Sequence, residues 1–250
     1  QGAKMSKSKG NVVAPDEMVD RYGADTLRLY VLFMGPAADD AEWSDHGIEG
    51  QRRFLDRVWR LVAGQEGDGL VGRPTLDELR DEEAALALVR KAEATVAKVT
   101  DDIGERFSFH TAISAIQELV NDATKVRAAG TVQSPVGQAA LRFATQSVVS
   151  LLFVFAPHAA SELWDALGGE RLWVAPWPDV DQAFLAKASV TVAVQVNGKL
   201  RDTLDVPAGL ADTDVAALAK QSAKVVAAID GKDIRREIVV ADRLVNLVVG

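Results

Sequence analysis

The spacing of apolar residues changes near residue 188, and this change constrains the possible folds more than any other feature of the sequence. Before it, apolar residues recur three or four positions apart over long stretches, which is typical of amphipathic helices. After it, Val190, Val192, Val194 and Val196 alternate with small or polar residues, which is typical of a half-buried strand. The sequence therefore predicts a mainly α chain that ends in a small domain with a sheet.

Two helices are predicted before residue 36. Pro15, followed by two acidic residues, is typical of a helix start, and Gly23 predicts the end of that helix. A second helix is expected from Ala24 to the Gly35-Pro36 pair. Its apolar side is predicted to carry Leu27, Tyr30, Val31 and Met34.

Residues 44–182 are predicted to form an antiparallel helix bundle. Ser44 is a plausible N-cap, Ser134-Pro135 is expected to open a later helix, and Thr75 with Glu78 has the spacing of a capping box before a long amphipathic helix. The Gly-rich residues 64–74 are not followed by the Lys-Ser/Thr pair of a phosphate-binding loop, so they are interpreted as a linker.

An aromatic strap follows the bundle. Two Trp and two Pro within residues 173–178 break the helical pattern and are expected to cover one end of the core, with base stacking on RNA as the alternative. His158 is expected to pack against Trp164 in a structural role, because the sequence indicates no partner acid or base for it.

The residues after 188 predict a small α/β domain in the order ββαββ. Asn197-Gly198 is a strong signal for a two-residue hairpin turn between the first two strands. A helix is expected from Asp212 or Thr213 to Ile229, and strands at 232–240 and 243–249 complete the domain.

Composition excludes several classes of protein. The net charge of −8 has the wrong sign for a protein whose whole surface binds nucleic acid, so any RNA contact must use local basic patches. There is no Cys, which excludes disulfides and thiolate zinc sites, and the three His lie far apart, so no metal site is expected. No signal peptide or apolar stretch long enough to cross a membrane is found, so a cytoplasmic location is expected.

A run of Lys and small residues lies at the beginning of the chain. The first nine residues contain three Lys and no acid. Small residues let the backbone approach a polyphosphate, and a Lys side chain can follow a phosphate as it moves. Taken alone, such a run is equally typical of a solvated, disordered terminus.

The segment Lys4-Met5-Ser6-Lys7-Ser8 resembles the KMSKS loop of class I aminoacyl-tRNA synthetases, and residues 11–28 continue that family's pattern. The resemblance implies adenylation, in which an amino-acid carboxylate attacks the α-phosphorus of ATP and pyrophosphate leaves. Catalysis of this kind is chiefly positioning and charge stabilisation. The resemblance assigns Lys7 and Lys4 to catalysis, and Lys4, Met5, Ser6, Lys7 and Ser8 to ATP binding. Mg²⁺ would accompany ATP in the intact enzyme, and the residues of this chain alone are expected to bind neither.

Two further segments resemble the leucyl type of this class. One is Asp39-Asp40-Ala41-Glu42-Trp43-Ser44 with Gly47-x-Glu49-Gly50 and Phe54-Leu55-x-Arg57-Val58-Trp59. The other is the final ββαββ domain, which resembles the carboxy-terminal domain that touches the outer corner of tRNA in bacterial leucyl-tRNA synthetase. The implied domains are the KMSKS loop and a helical connector (1–43), an anticodon-binding-like bundle (44–182) and a tRNA-contacting domain (183–250).

The resemblance implies the carboxy-terminal part of a leucyl-tRNA synthetase that begins at the KMSKS loop. This chain is expected to be a monomer and to be inactive alone. The expected partners are leucine tRNA and, in the intact enzyme, ATP and leucine, with no membrane partner.

Basic residues are the candidate tRNA contacts. In the bundle, Arg53, Arg57 and Arg60 lie three or four positions apart and form one stripe on a helix, although a solvated face is the alternative. In the last domain, where each could equally be an ordinary edge-strand charge, the candidates are Lys199, Arg201, Lys232, Arg235, Arg236 and Arg243. Strand alternation places Arg235 and Arg236 on opposite faces.

Two rival interpretations remain open. A free-standing tRNA-binding module would have the same fold and basic patches but would give Lys7 no chemical role. A valyl or isoleucyl sibling would share the loop, but these siblings differ over residues 39–60. The absence of Cys also argues against a sibling with a carboxy-terminal zinc module.

Overall fold

The computed structural model divides the chain into two compact units, Gln1–Phe184 and Leu185–Gly250. The first unit is built of helices and the second carries a four-stranded sheet, so the predicted fold class is confirmed. Within the described part of the chain, no helix is both long enough and apolar enough to cross a membrane. The described residues are 5–6, 8, 10–36, 38–65, 69–186, 189–207 and 210–250.

The two helices before residue 36 form as predicted, and Leu27, Tyr30 and Met34 pack in a core cluster as expected, but the prediction was wrong for Val31 and missed Leu29. Helix α1 (Pro15–Tyr22) has Pro15 in its first turn, and α2 (Ala24–Phe33) follows directly after Gly23, whose φ of 85° few other residues adopt. Leu29 is fully buried, whereas Val31 is 54% exposed. Most positions in the second half of α2 are apolar, so spacing alone does not identify the face that packs on the neighbouring helices.

Five helices form the bundle, and three of them meet in its centre. The central packing is α4 against α5 and α6, with Val89, Ile116 and Leu152 among the fully buried side chains. The helices are α3 (Asp45–Val62), α4 (Glu83–Gly104), α5 (Phe109–Ala129), α6 (Pro135–Leu152) and α7 (Pro157–Ala166).

The predicted cap at Ser44, the helix start at Ser134 and the capping box at Thr75 all form, although the helix expected after the box begins later. The hydroxyl of Ser44 accepts a hydrogen bond from the Gly47 N–H at 3.3 Å, and that of Ser134 accepts one from the Gly137 N–H at 2.9 Å. Thr75 and Glu78 make the reciprocal bonds of a capping box. That box closes a separate turn, because α4 begins only at Glu83. The capping motif is local, so it forms even where no long helix follows directly.

The second unit is a mixed sheet with two helices packed on one face. Its strands lie in the order β2-β1-β4-β3, with β1 parallel to β4 and the other two pairs antiparallel. Asn197 and Gly198 both have positive φ, 51° and 77°, which confirms the predicted tight hairpin. A four-residue helix, α8 (Gln182–Leu185), precedes β1 in the chain. The elements of the sheet unit are β1 (Ser189–Val196), β2 (Lys199–Pro207), α9 (Asp212–Gln221), α10 (Ala223–Ile229), β3 (Ile234–Val240) and β4 (Leu244–Val249).

The prediction of one continuous helix between β2 and β3 was wrong. The helix breaks at Ser222, which is extended with φ −62° and ψ 127°. The Ser222 hydroxyl lies 2.6 Å from a carboxylate oxygen of Asp202 on β2 and donates a hydrogen bond to it. The break therefore follows from a contact with a strand that is distant in sequence.

Candidate nucleotide loop and nucleic-acid interface

A hydrogen bond joins Ser6, within the Lys-rich run, to Asn11, five positions further along the chain. The backbone N–H of Ser6 donates to the side-chain oxygen of Asn11 at 2.8 Å. The hydroxyls of Ser6 and Ser8 lie 2.7 Å apart, so one donates to the other. These bonds hold the hydroxyls of Ser6 and Ser8 close together.

Only part of the predicted ATP site falls within the described residues. Met5 and Ser8 are exposed and Ser6 is half-buried, whereas Lys4 and Lys7 lie outside the described residues. Sequence reasoning missed the role of Asn11. The available signal was the preference of Asn side chains for hydrogen bonds to nearby backbone groups in turns.

The three arginines predicted as a stripe lie on α3 but differ in their surroundings. Arg53 and Arg60 are exposed, and Arg53 lies only 4.0 Å from Glu49. The guanidinium carbon of Arg57 lies 5.8 Å from the centre of the Phe54 ring. Its Nε is buried and has no hydrogen-bond partner among the described residues. Arg57 is therefore half-buried against its own helix, whereas Arg53 and Arg60 are the two exposed members of the stripe.

The basic residues of the small unit lie on its two opposite edges. Lys199 and Arg201 belong to β2, whereas Arg235 and Arg236 belong to β3. These are the outer strands of the sheet, so three inter-strand spacings of ~4.8 Å put the two pairs about 14 Å apart. Lys232 and Arg243 lie in the connections that precede β3 and β4. The predicted contacts thus form two separate basic edges.

Both edges carry an arginine at a bulge. Arg201 falls between Leu200 and Asp202, which pair with consecutive residues of β1. Arg235 falls in the same way between Ile234 and Arg236, which pair with consecutive residues of β4. A bulge interrupts the strict alternation of side chains and changes the direction of the extra residue. The expectation that Arg235 and Arg236 occupy opposite faces therefore loses its basis.

Asp202, which follows Arg201 on β2, is paired with two polar side chains of the helical segment between β2 and β3. Lys224 donates to one oxygen of Asp202 at 2.8 Å and Ser222 donates to the other. The hydrogen bond from Lys224, followed by that from Ser222, lowers the pKa of Asp202 from 3.8 to about 2. Asp202 is therefore ionised and already paired.

His158 was predicted to pack against Trp164, but its partner is Asp25. The side chain of His158 is 79% exposed, and its Nδ1 lies 2.9 Å from an oxygen of Asp25 on α2. One turn further along α2, Arg28 donates to the backbone oxygens of Val154 and Phe155, each at 3.2 Å. The acid that the sequence did not indicate, Asp25, comes from a helix more than a hundred residues away. Together, Asp25 and Arg28 link α2 to the corner between α6 and α7.

No group of three or more His, Cys, Asp or Glu side chains in the described ranges is arranged to hold a metal ion. The buried acid Glu93, for example, uses its two oxygens on Arg73 and the Asp181 N–H.

Two family models match the chain. Residues 86–217 match the anticodon-binding domain of tRNA ligase, and residues 1–44 match the class I tRNA synthetases of the I, L, M and V types. The first match covers more than half of the 250 residues. The chain belongs to the tRNA-ligase anticodon-binding family.

Within this family, similar curated proteins are leucine–tRNA ligases. The ligase of Alcanivorax borkumensis is 45% identical over 248 residues, which are 99% of this chain and 30% of that protein. The ligase of Chromohalobacter salexigens is 46% identical over 246 residues, 98% of this chain and 28% of that protein. The chain thus spans about 30% of the length of these relatives and matches their carboxy-terminal part, as residues 39–60 and the final domain predicted.

A solved tRNA ligase has the same fold over the whole chain. The LeuRS of Agrobacterium radiobacter, in a ternary complex with tRNA and LeuAMS, matches with a TM-score of 0.80 at 31% identity. The match covers 100% of this chain and 32% of that one.

Proposed function

We propose that this chain supplies the tRNA-binding part of a leucine–tRNA ligase, together with the loop that meets ATP during adenylation. The observation that carries the proposal is the match to leucine–tRNA ligases over 98–99% of the chain. The matching LeuRS was solved with tRNA, which supports tRNA as the partner. A monomer in the cytoplasm, where tRNA is aminoacylated, belongs to the same proposal.

The tRNA contacts are assigned to separate basic surfaces on an acidic chain. On α3 the reachable residues are Arg53 and Arg60. On the small unit they are the two edges with Lys199 and Arg201 on one side and Arg235 and Arg236 on the other, with Lys232 and Arg243 in the adjoining connections. Contacts of this kind neutralise phosphates and release counterions, so the affinity falls steeply as salt rises.

The loop assignment concerns the leaving group of adenylation. A leucine carboxylate oxygen attacks the α-phosphorus of ATP, the bond to the bridging oxygen breaks, and negative charge builds on pyrophosphate. Lys7 stabilises that charge and Lys4 assists, while Ser6 and Ser8 donate hydroxyl hydrogen bonds. Asn11 keeps the backbone of Ser6 in place. No group of three or more His, Cys, Asp or Glu side chains among the described residues is arranged to hold the accompanying Mg²⁺.

The loop assignment is tested in a leucine–tRNA ligase that carries this chain. Lys7→Ala should lower leucine-dependent ATP–pyrophosphate exchange by about 100-fold or more and leave leucine affinity nearly unchanged, because the lost contact forms in the transition state. Lys125→Ala, on the exposed side of α5, is the matched control for charge and should leave the rate unchanged. An unchanged rate in Lys7→Ala would contradict the assignment and favour a tRNA-binding module without chemistry.

The position of Asn11 offers a second variant in the same assay. Asn11→Ala removes the acceptor for the Ser6 N–H and should lower the exchange rate. Asn11→Asp keeps an acceptor oxygen at that position and should recover most of the rate. Equal losses in the two variants would show that the hydrogen bond is not what matters.

A further inference from the structure

Two large apolar side chains stand in solvent on the turn after α7. Trp173 is 63% exposed and Val174 is 70% exposed, whereas the preceding Leu172 is buried in the core. The other strap tryptophan behaves differently, because the indole N–H of Trp177 donates to the Thr100 hydroxyl on α4 at 2.8 Å. The strap is therefore fastened at Trp177, and packing within the chain does not explain Trp173.

The exposed pair lies on the wall of an acidic cleft. The cleft has a volume of about 720 Å³ and is formed between the outer side of α7 and the turn at 170–174. Its walls contribute three carboxylates and one guanidinium, a net charge of −2, from Glu162, Asp165, Glu170 and Arg171. None of these four side chains forms an ion pair with another residue in the described part of the chain.

Charge decides which kind of partner this surface fits. An RNA strand would bring phosphates toward three unpaired carboxylates, and like charges at close range disfavour that contact. Lys and Arg side chains would instead meet compensating acids, and their cationic groups are also attracted to the face of an indole. Exposed Trp residues are frequent energetic centres of protein interfaces.

We propose that the cleft between α7 and the 170–174 turn docks a basic segment of a protein. Trp173 and Val174 pack against an apolar side chain of that segment, and Glu162, Asp165 and Glu170 pair with its Lys or Arg residues. The surface therefore serves a contact separate from tRNA binding, although it lies on the same unit as α3.

The test uses this chain and a labelled probe. The probe is a fluorescein-labelled peptide of alternating lysine and leucine, and its binding is followed by fluorescence anisotropy. Trp173→Ala should weaken binding at least tenfold. The charge variant Glu162→Gln/Asp165→Asn/Glu170→Gln should do the same without altering the apolar pair. Both sets of positions are exposed, so the fold should be retained, which far-UV circular dichroism checks.

A matched control separates this surface from the overall acidity of the chain. The variant Asp20→Asn/Glu105→Gln/Asp122→Asn removes the same charge from exposed sites elsewhere on the first unit and should change peptide affinity less than twofold. Equal weakening by the two triple variants would overturn the proposal. Equally tight binding of an all-lysine peptide would also overturn it, because Trp173 and Val174 would then contribute nothing to binding.

Leucine tRNA provides the remaining comparison. Trp173→Ala should leave the affinity for tRNA within twofold of the unaltered chain. A tenfold loss would identify Trp173 as an RNA-stacking residue and would overturn the assignment of this cleft to a protein partner.

Discussion

The carboxylate of Asp25 caps a helix that begins more than a hundred residues later: one of its oxygens accepts a 2.6 Å hydrogen bond from the backbone N–H of Ala159. Asp25 lies in the first turn of α2, and Ala159 lies in the first turn of α7. An acid at a helix start satisfies an N–H without an intrahelical partner and favours the positive end of the helix dipole. The relationship joins the connector helix to the bundle.

Removing this cap should destabilise the helical unit. Asp25 is only 8% exposed, so Asp25→Ala leaves a poorly solvated N–H without its acceptor and should cost about 1–3 kcal/mol. His158→Ala removes the exposed partner and should cost less than about 0.5 kcal/mol, in line with a surface substitution. Urea unfolding followed by far-UV circular dichroism compares them. Equal losses would show that the pair with His158, rather than the cap, holds the corner.

A buried acid in α4 should contribute more than a surface ion pair. Glu93 is fully buried and accepts bonds from Arg73 Nε at 2.6 Å and from the Asp181 N–H at 2.8 Å. Glu93→Gln leaves a largely buried guanidinium without its main counter-ion. Because Asp179 and Asp181 also lie near Arg73, the expected cost is about 2–4 kcal/mol, below that of an isolated buried pair.

The matched control for Glu93 is an exposed acid in the same bundle. Glu118 pairs with Lys91 at 2.7 Å, but its side chain is 64% exposed. Glu118→Gln should therefore cost less than about 1 kcal/mol. Thermal unfolding of the two variants measures the difference, and comparable losses would contradict the importance assigned to burial.

The pairing of Asp202 makes the small unit sensitive to acid. The folded pKa of Asp202 is about 2 and its ordinary value is 3.8, so the unfolded state binds the proton more readily. The contribution of this group to stability is complete above pH 3.8 and is lost as the pH falls toward 2. Lys224→Gln should move the pKa of Asp202 upward toward 3.8. Carboxyl-carbon NMR titration measures both values, and an identical pKa in the variant would contradict the assigned cause.

Local signals in the sequence predicted local structure well. Ser44, Ser134 and the Asn197-Gly198 pair each act on backbone groups within three residues, so their effect is readable without tertiary contacts. Two of the wrong predictions share one cause, which is a partner distant in sequence. The break at Ser222 depends on Asp202, and the surroundings of His158 depend on Asp25.

The sequence allowed the individual residues of the candidate site to be predicted, but not how these residues are grouped on the surface. The Lys-rich run and the arginines of α3 could be read from spacing. The separation of the basic residues into two edges depends on the parallel pairing of β1 with β4, which no local signal encodes. The bulges at Arg201 and Arg235 carry no Gly and were not predictable.

The central proposal is that this chain binds tRNA with a preference for leucine tRNA. A direct titration of the chain with leucine tRNA, and with valine and isoleucine tRNAs as controls, tests it at low and moderate salt. The account predicts tighter binding of leucine tRNA and a steep loss of affinity as salt rises. Weak binding of all three tRNAs without preference would contradict the claim.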